Sequence, residues 1–287
     1  MLDPKTHGDL LRLRDLIQAH AGLRLEEPKL QALVPKLEGV MREINCPSLS
    51  ALGDQLMREM AFGAGKAWTA VIPLVTINET YFFREMHQLE ILRNHLIPEL
   101  QRRNATRRHL KLLSAPCSTG AEPYTLAMLL EQGPANLVGW NVEIHGVDID
   151  GPVVEQAKEG LYPKAAFRAT DQAQLERWFK QEGDRYRIQE RLRKSVAFRQ
   201  GNLLEMAKWP GYKGFDVILC RNLLIYFDQP TQRRLVDLFF QALNPGGYLL
   251  LGHSESLLTL GTSFLPDPVH RAMVYYKPAS EVQKAAL

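Results

Sequence analysis

The sequence predicts an α/β protein in which a doubly wound, mainly parallel sheet follows a small all-α unit. Apolar strands alternate with amphipathic helices after residue 110, an order typical of parallel sheets covered by helices. Apolar residues recur every three or four positions through residues 1–60, which indicates helices. A turn of small residues also joins the first strand to a helix, as in sheets that bind ligands at the carboxyl ends of their strands.

The helical patterns divide the chain into a helical N-terminal domain over residues 1–62, a linker over 63–77 and a larger domain over 78–287. Pro35 lies inside the second helical pattern and predicts a kink there. The first two helices are predicted from apolar stripes formed by Leu10, Leu11, Leu13, Leu16 and Ile17, and then by Leu30, Leu33, Val34, Leu37, Val40, Met41 and Ile44.

The composition is that of an ordinary globular protein, with 45% hydrophobic and 23% charged residues in a chain of 287. No apolar run approaches the roughly 18 residues that a membrane span needs, and the first residues do not resemble a secretory signal. We therefore expect a cytoplasmic protein that does not insert into a membrane.

Cysteine, histidine and charge exclude several classes of site. Cys46, Cys117 and Cys220 have no paired spacing, so neither disulfides nor a zinc site are expected, and the eight histidines form no ligand pattern. A net charge of +3 is too small to indicate a nucleic-acid partner. The arginines after residue 101 are interpreted as a solvated helix end.

The stretch from Lys111 to Tyr124 forms the centre of the predicted sheet. Apolar residues lead into Ser118-Thr119-Gly120, and Pro123 then opens a helix. Proline is tolerated in a first helical turn because its missing N–H would be unpaired there, and small residues let the backbone approach a ligand. Such turns also serve purely structural roles. We treat this one as a candidate site for a nucleotide-like ligand.

Polar residues follow the other predicted strands. Asp148 ends the second strand, where an acidic residue accepts hydrogen bonds from ribose hydroxyls. Asn202 follows a later strand and is a candidate for contact with an adenine edge, although turn asparagines are common. Arg221 and Asn222 follow a buried strand, and Tyr226 comes four residues later. We expect these side chains to meet at the ligand-binding edge of the sheet.

Two further segments have less regular patterns. Asn78-Glu79-Thr80-Tyr81-Phe82-Phe83-Arg84-Glu85 is either a helix start packed on the core or a binding segment in which Arg84 holds a carboxylate. Residues 163–200 contain a turn signal at Gly183-Asp184 and short strand signals, which predict a small β insertion near 183–199.

Taken together, these blocks resemble the CheR family, the methyltransferases that esterify glutamates of bacterial chemoreceptors. The resemblance spans both domains and is strongest from Thr76 to Lys277. The blocks that carry it are Asn78-Glu79-Thr80-Tyr81-Phe82-Phe83-Arg84, Cys117-Ser118-Thr119-Gly120 with Glu122-Pro123-Tyr124, Asp148-Ile149-Asp150, Asn202-Leu203-Leu204, Cys220-Arg221-Asn222 with Ile225-Tyr226-Phe227, and Pro245-Gly246-Gly247 before Gly252-His253-Ser254-Glu255.

The resemblance implies a class I methyltransferase fold with an antiparallel last strand, and S-adenosylmethionine as the cofactor, which leaves as S-adenosylhomocysteine. It implies catalytic roles for Arg84 and Tyr226. Ala121 stands where the family usually has a second glutamate, and Pro116 replaces a smaller residue. Because Glu122 is retained, we expect cofactor binding to persist with some change in loop stiffness. The residues that the resemblance assigns to the cofactor are Asn78, Thr80, Arg84, Glu122, Asp148, Asn202, Leu203, Arg221 and Asn222.

The implied substrate is a glutamate on the cytoplasmic helical bundle of a chemoreceptor. Because a glutamate carboxylate with a pKa of about 4.3 is already ionised at neutral pH, no catalytic base is predicted. The insertion from Gly183 to Lys194 is short and poor in glycine, so we expect no tether to a receptor tail. Two alternatives stay open: a methyltransferase of another protein or of RNA, and a cofactor-binding regulatory module without turnover.

Overall fold

The computed structural model describes residues 4–62, 65–270 and 272–279. The predicted N-terminal helical region is confirmed. The predicted kink at Pro35 is a break between two helices, with Leu33 between them and the proline in the first turn of the second. The helices within this region are α1 (Pro4–Ala21), α2 (Glu27–Ala32), α3 (Val34–Glu43), α4 (Leu49–Phe62) and α5 (Lys66–Val75).

Helix α5 lies inside the stretch that was predicted as a linker, residues 63–77, of which 63 and 64 lie outside the described residues. Its side chains at Trp68, Val71 and Val75 are buried against the other N-terminal helices. The carboxylate of Glu59 in α4 accepts hydrogen bonds from the backbone N–H groups of Ala67 and Trp68 at 3.1 and 3.0 Å, which satisfies the start of the helix. This segment is therefore a packed part of the helical region.

The rest of the described chain alternates helices and strands. A π-helical turn, Leu92–Leu96, joins the first two of the remaining helices. These helices are α6 (Met86–Ile91), α7 (Ile97–Arg103), α8 (Ala121–Gln132), α9 (Gly151–Glu159), α10 (Gln172–Trp178), α11 (Glu190–Ser195) and α12 (Gln229–Ala242). The strands are β1 (His109–Ser114), β2 (Asn141–Asp148), β3 (Leu161–Pro163), β4 (Phe179–Glu182), β5 (Arg185–Ile188), β6 (Val196–Gln200), β7 (Phe215–Cys220), β8 (Leu243–Leu251), β9 (Leu265–Pro266) and β10 (Val274–Tyr276).

Seven strands form the main sheet in the order β6-β2-β1-β7-β8-β10-β9. The first five of these pair in parallel, whereas β10 runs antiparallel to both β8 and β9. The predicted doubly wound, mainly parallel sheet with an antiparallel last strand is confirmed. The chain leaves β1 toward β2 on one side and returns to β7 on the other, so the crevice between β1 and β7 is the switch point where such sheets bind ligands.

A second sheet of three antiparallel strands, in the order β3-β5-β4, lies outside the main one. The predicted turn at Gly183-Asp184 joins β4 to β5. The predicted insertion near 183–199 overlaps this sheet only at β5, because residues 190–195 form α11 and β6 belongs to the main sheet. Strand β3 pairs with β5 across more than twenty residues, so local periodicity could not reveal it.

The core has two parts, one on each face of the main sheet. Leu113, Ile218 and Leu249 face a cluster that includes the N-terminal helices and α12, whereas their neighbours face a second cluster that includes α6 and α8. Alternate strand residues point to opposite faces, which explains this division. The N-terminal helices therefore share a core with the sheet. Among the residues that the structure describes, no helix has the length and apolar character needed to span a membrane.

Candidate active site

One cleft lies at the carboxyl ends of the central strands and holds about 1030 Å³ of space, part of which is open to solvent. The segment after α5 covers one side of it, and Ala21 at the end of α1 and Leu23 just after it also line it. All the predicted cofactor and catalytic residues line this cleft: Asn78, Thr80, Arg84, Glu122, Asp148, Asn202, Leu203, Arg221, Asn222 and Tyr226.

Arg221 is buried between two carboxylates at the base of the cleft. Strand β7 delivers its guanidinium, which bonds Glu122 Oε2 at 2.9 Å and Glu85 Oε2 at 3.0 Å, and donates to the carbonyl of Arg84 at 2.8 Å. Burial lowers the pKa of Arg221, but the two carboxylates outweigh burial and raise it. Its Nε is buried without a hydrogen-bond partner. Arg221 was predicted as a cofactor contact, and the structure shows that it binds two acidic side chains of the protein.

Glu122 stands in the first turn of α8, where the helix dipole favours a negative charge. Its Oε1 accepts a hydrogen bond from Ser114 Oγ at 2.7 Å, and its Oε2 accepts one from Arg221. Each carboxylate oxygen can accept a second hydrogen bond. Glu122 can therefore accept a further hydrogen bond from a cationic group in the cleft, while Ser114 and Arg221 fix the orientation of its carboxylate.

Asp148 ends β2 and is 3% exposed. Its Oδ2 accepts a hydrogen bond from the backbone N–H of Ser118 at 2.7 Å, and its Oδ1 accepts one from the N–H of Asp150 at 3.0 Å. Ser118 has a φ of 47°, a left-handed conformation that points its N–H at the carboxylate. Burial raises the pKa of Asp148 to about 6. Asp148 is thus ionised at neutral pH, and each oxygen retains a lone pair for a hydroxyl group.

A second aspartate, Asp150, holds the segment that covers the cleft. Its Oδ2 accepts hydrogen bonds from Thr76 Oγ1 and from Asn78 Nδ2, each at 2.7 Å. Ser118 Oγ donates to the carbonyl of Asn78 at 3.1 Å, so the segment is also joined to the turn after β1. Sequence reasoning gave Asp150 no role, although its place two residues after Asp148 was a signal. Through these contacts Asn78 and Thr80 are brought over the cleft.

Arg84 and Tyr226 line the cleft and are both partly exposed. The side chain of Arg84 is 24% exposed, and its Nη1 donates to the carbonyl of Glu79 at 2.8 Å. Tyr226 is partly buried, and its carbonyl accepts a hydrogen bond from the N–H of Arg24 at 3.0 Å. Both side chains are positioned to meet a group that enters from solvent.

The N-terminal helices complete the site, which sequence reasoning did not predict. Asn202 Nδ2 donates to the carbonyl of His20 at 2.6 Å, and Asn202 Oδ1 accepts from the N–H of Leu204 at 3.0 Å. The second amide hydrogen of Asn202 is still available to a ligand. No local pattern marked His20 or its neighbours as part of a site, because the contact joins residues 182 positions apart.

The donors and acceptors suit a nucleoside that carries an amino acid. Asp148 and Glu122 offer hydrogen-bond acceptors, Arg84 offers a guanidinium group, and Leu203, Ile149 and Leu23 provide apolar surface. Within residues 4–62, 65–270 and 272–279, no group of three or more metal-ligating side chains is found.

Comparison with known proteins agrees with this chemistry. The family described as CheR methyltransferase, SAM binding domain, matches residues 78–269. A chemotaxis protein methyltransferase 2 of Vibrio cholerae is 32% identical and covers 95% of this chain and 94% of its own length. Chemotaxis protein methyltransferase Cher2 of Pseudomonas putida is 32% identical, with 94% and 95% coverage.

A third relative, the probable biofilm formation methyltransferase WspC of Pseudomonas aeruginosa, is 34% identical over 76% of this chain and 50% of its own length. The family match covers more than half of this chain, and two of these relatives align along nearly all of it. The chain therefore belongs to the CheR family of methyltransferases, enzymes whose cofactor is S-adenosylmethionine.

Proposed function

We propose that this protein transfers a methyl group from S-adenosylmethionine to glutamate side chains of bacterial chemoreceptors, forming methyl esters that tune receptor signalling. The observation that carries the proposal is that one cleft brings together two acidic side chains, the partly buried Glu122 and the buried Asp148, with Arg84 and Tyr226. The two carboxylates suit the cofactor, and Arg84 suits an incoming carboxylate. The names of the chemotaxis relatives support the same substrate class.

When bound, the cofactor supplies an electrophilic methyl group on a sulfonium that leaves as a neutral thioether. Asp148 binds the ribose hydroxyls, and Glu122, held by Arg221, binds the ammonium group. Arg84 pairs with either the methionine carboxylate or the substrate carboxylate. Asn202 and Leu203 lie beside the adenine.

Arg84 and Tyr226 act by orienting the acceptor. A glutamate carboxylate is already ionised at neutral pH, so the enzyme needs no general base. The carboxylate loses its charge as it is methylated, which means that hydrogen-bond donors bind the ground state more tightly than the transition state. Their contribution must therefore come from in-line placement and partial desolvation, where orientation is worth on the order of 7 kcal/mol.

The proposed setting is the cytoplasm, and the proposed partner is the helical bundle of a receptor, with no contribution from nucleic acid. We also propose that binding does not depend on a receptor tail. Strand β4 exposes Lys180, Gln181 and Glu182 at the edge of the small sheet, and charged edge strands disfavour pairing with an added peptide. Tight calorimetric binding of a free receptor C-terminal peptide would contradict this part of the proposal.

The test of the main proposal is incubation with methyl-labelled cofactor and the receptors of the same organism. We expect label in the receptor that mild alkali releases as methanol, because carboxylate esters hydrolyse under these conditions. Base-stable label, or label in RNA, would show another acceptor, and bound cofactor without any transfer would indicate a regulatory module. Receptors of swimming and of surface signalling are tested separately, because WspC is named for biofilm formation.

A further inference from the structure

A buried glutamate outside the predicted site organises the loop after β7. Glu255 lies in the turn that follows β8 and is 3% exposed. Its Oε1 accepts hydrogen bonds from the N–H groups of Leu223 and Leu224 at 2.8 and 2.6 Å. Its Oε2 accepts from the N–H groups of Asn222 and Gly252 at 2.8 and 2.7 Å. Four backbone donors from two loops thus converge on one carboxylate.

The loop that Glu255 holds lines the cleft and contains a residue in the left-handed conformation. Asn222 has a φ of 59°, a conformation that asparagine tolerates better than most residues other than glycine and that the surrounding contacts select. Asn222, Leu223 and Tyr226 all line the cleft. Three of the four hydrogen bonds to Glu255 come from consecutive residues of this loop, so they are the contacts that enforce its conformation.

Gly252 is part of the same arrangement. A Cβ atom at this position would lie 2.8 Å from Glu255 Oε2, closer than real Cβ contacts allow, and 3.0 Å from the backbone nitrogen of Asn222, which is tighter than most of them. The space between the two loops is therefore filled by the carboxylate and its donors. A side chain at Gly252 would force the loops apart without removing the charge of Glu255.

We propose that Glu255 is a positioning residue for methyl transfer. It touches neither reacting group; it fixes the backbone at Asn222–Leu224 so that Asn222 faces the cofactor and Tyr226 faces the methyl acceptor. The assignment of Tyr226 rests on the proposed function, whereas the effect on the cofactor does not, because cofactor binding is measured without an acceptor.

The chain contains a matched control at the other end of β7. Asp216 is also a buried carboxylate, 2% exposed, and accepts hydrogen bonds from Asn104, Arg107, Asn244 and the N–H of Lys111. It anchors the amino end of the strand, away from the cleft. Loss of either carboxylate removes several hydrogen bonds next to one end of β7, but only Glu255 contacts the loop that lines the cleft.

The experiment compares Glu255→Gln with Asp216→Asn. The amide of Glu255→Gln places N–H groups against backbone donors, so we expect the Kd for S-adenosylhomocysteine, measured by calorimetry, to rise about tenfold or more. Hydrogen exchange should show lost protection at Asn222–Leu224. We expect Asp216→Asn to lower Tm while the Kd stays within about twofold of the wild-type value.

Two outcomes would overturn the proposal. One is a Glu255→Gln enzyme that loses stability but keeps its cofactor Kd and kcat, and the other is an equal rise in Kd for Asp216→Asn, which would indicate general loosening. If Glu255→Gln does not fold, Gly252→Ala displaces the same loop and is expected to raise the Kd in the same direction; an unchanged Kd would contradict the assignment. If Glu255→Gln shows the expected rise in Kd but the wild-type enzyme transfers no methyl groups to receptors, the role of Glu255 stands and the proposed acceptor is wrong.

Discussion

Asp148 carries the clearest pH dependence at the scale of single residues. Burial raises its pKa to about 6, and only its ionised form offers both oxygens to ribose hydroxyls. We expect the Kd for S-adenosylhomocysteine to rise as pH falls below about 6, by up to about tenfold per pH unit. Calorimetry at several pH values between 5 and 7 measures this dependence. Asp148→Asn should bind weakly with a flatter pH profile; an unchanged slope in this variant would assign the titration to another group.

The same carboxylate has the opposite effect on the stability of the cofactor-free protein. Its folded pKa lies above the ordinary value of 3.8, so the folded state takes up the proton first as pH falls from about 6 toward 4. Asp148 therefore contributes stability that increases as pH falls across this window and is lost as pH rises through it. Urea denaturation of the wild type and of Asp148→Asn gives the free energy of unfolding of each. We expect the wild-type value minus the variant value to increase as pH falls from about 6 to 4.

Arg84 and Tyr226 are expected to differ in how they affect kinetics. Arg84→Ala should lower kcat/KM on the order of 10²-fold, since a misplaced acceptor carboxylate loses its in-line geometry. Tyr226→Phe should lower kcat and leave the Kd for S-adenosylhomocysteine within about twofold. Methyl transfer to receptors and calorimetry give the two quantities. Full transfer by both variants, with unchanged cofactor affinity, would refute the orienting role.

At the scale of elements, the small sheet touches the segment that covers the cleft. Phe82 stacks among Tyr162, Phe167 and Phe179, with ring centroids 4.8, 5.2 and 4.8 Å away. The N–H of Phe82 also donates to the carbonyl of Ala166 at 3.0 Å. The insertion therefore supports the binding segment from outside the main sheet.

Arg168 extends this support to the mouth of the cleft. Its guanidinium lies 3.8 Å from the centroid of the Tyr81 ring and bonds Glu79 Oε1 at 2.6 Å, and both partners line the cleft. An exposed ion pair and a cation–π contact each hold the segment weakly. We expect Arg168→Ala to raise the cofactor Kd about fivefold with little change in Tm. Arg185→Ala, at an exposed arginine of β5 in the small sheet, is the control; equal effects of the two would point to surface charge.

At the scale of the whole molecule, the N-terminal helices and the sheet should unfold together, because they share one core. Leu13 in α1 is 1% exposed within that core. We expect Leu13→Ala to lower the free energy of unfolding by about 2–5 kcal/mol in a single calorimetric transition. Leu11→Ala, at a partly buried position of the same helix, should cost less. A separate early transition in either variant would show an independently folding N-terminal unit.

The main sheet and the position of the cleft could be predicted because both follow local rules. Strand ends at Asp148 and Arg221 were visible as polar residues after apolar runs, and the carboxyl ends of parallel strands share one edge. Helix α5 was missed because the glycines before it and Pro73 within it suggested a linker, whereas burial of Trp68 stabilises the helix.

Other parts of the site depended on contacts between distant parts of the chain. The partners of Arg221 come from α8 and from the segment that covers the cleft, and no spacing along the chain indicates that they meet. The same holds for β3 and for the residues after α1 that line the cleft. Sequence patterns pointed to residues that the structure places around one cleft, but they could not predict which residues hold them in place.

Two hydrogen bonds between the N-terminal region and the cleft have a consequence for chimeric enzymes: the backbone bond from Arg24 to Tyr226 and the bond from the Asn202 side chain to the carbonyl of His20. An N-terminal helical region grafted from a relative would have to reproduce the backbone positions at these two contacts. Matching apolar residues alone would leave the loop that contains Tyr226 without this support. Exchange of the N-terminal helical region between such proteins is therefore expected to alter turnover, even where every side chain of the main sheet is unchanged.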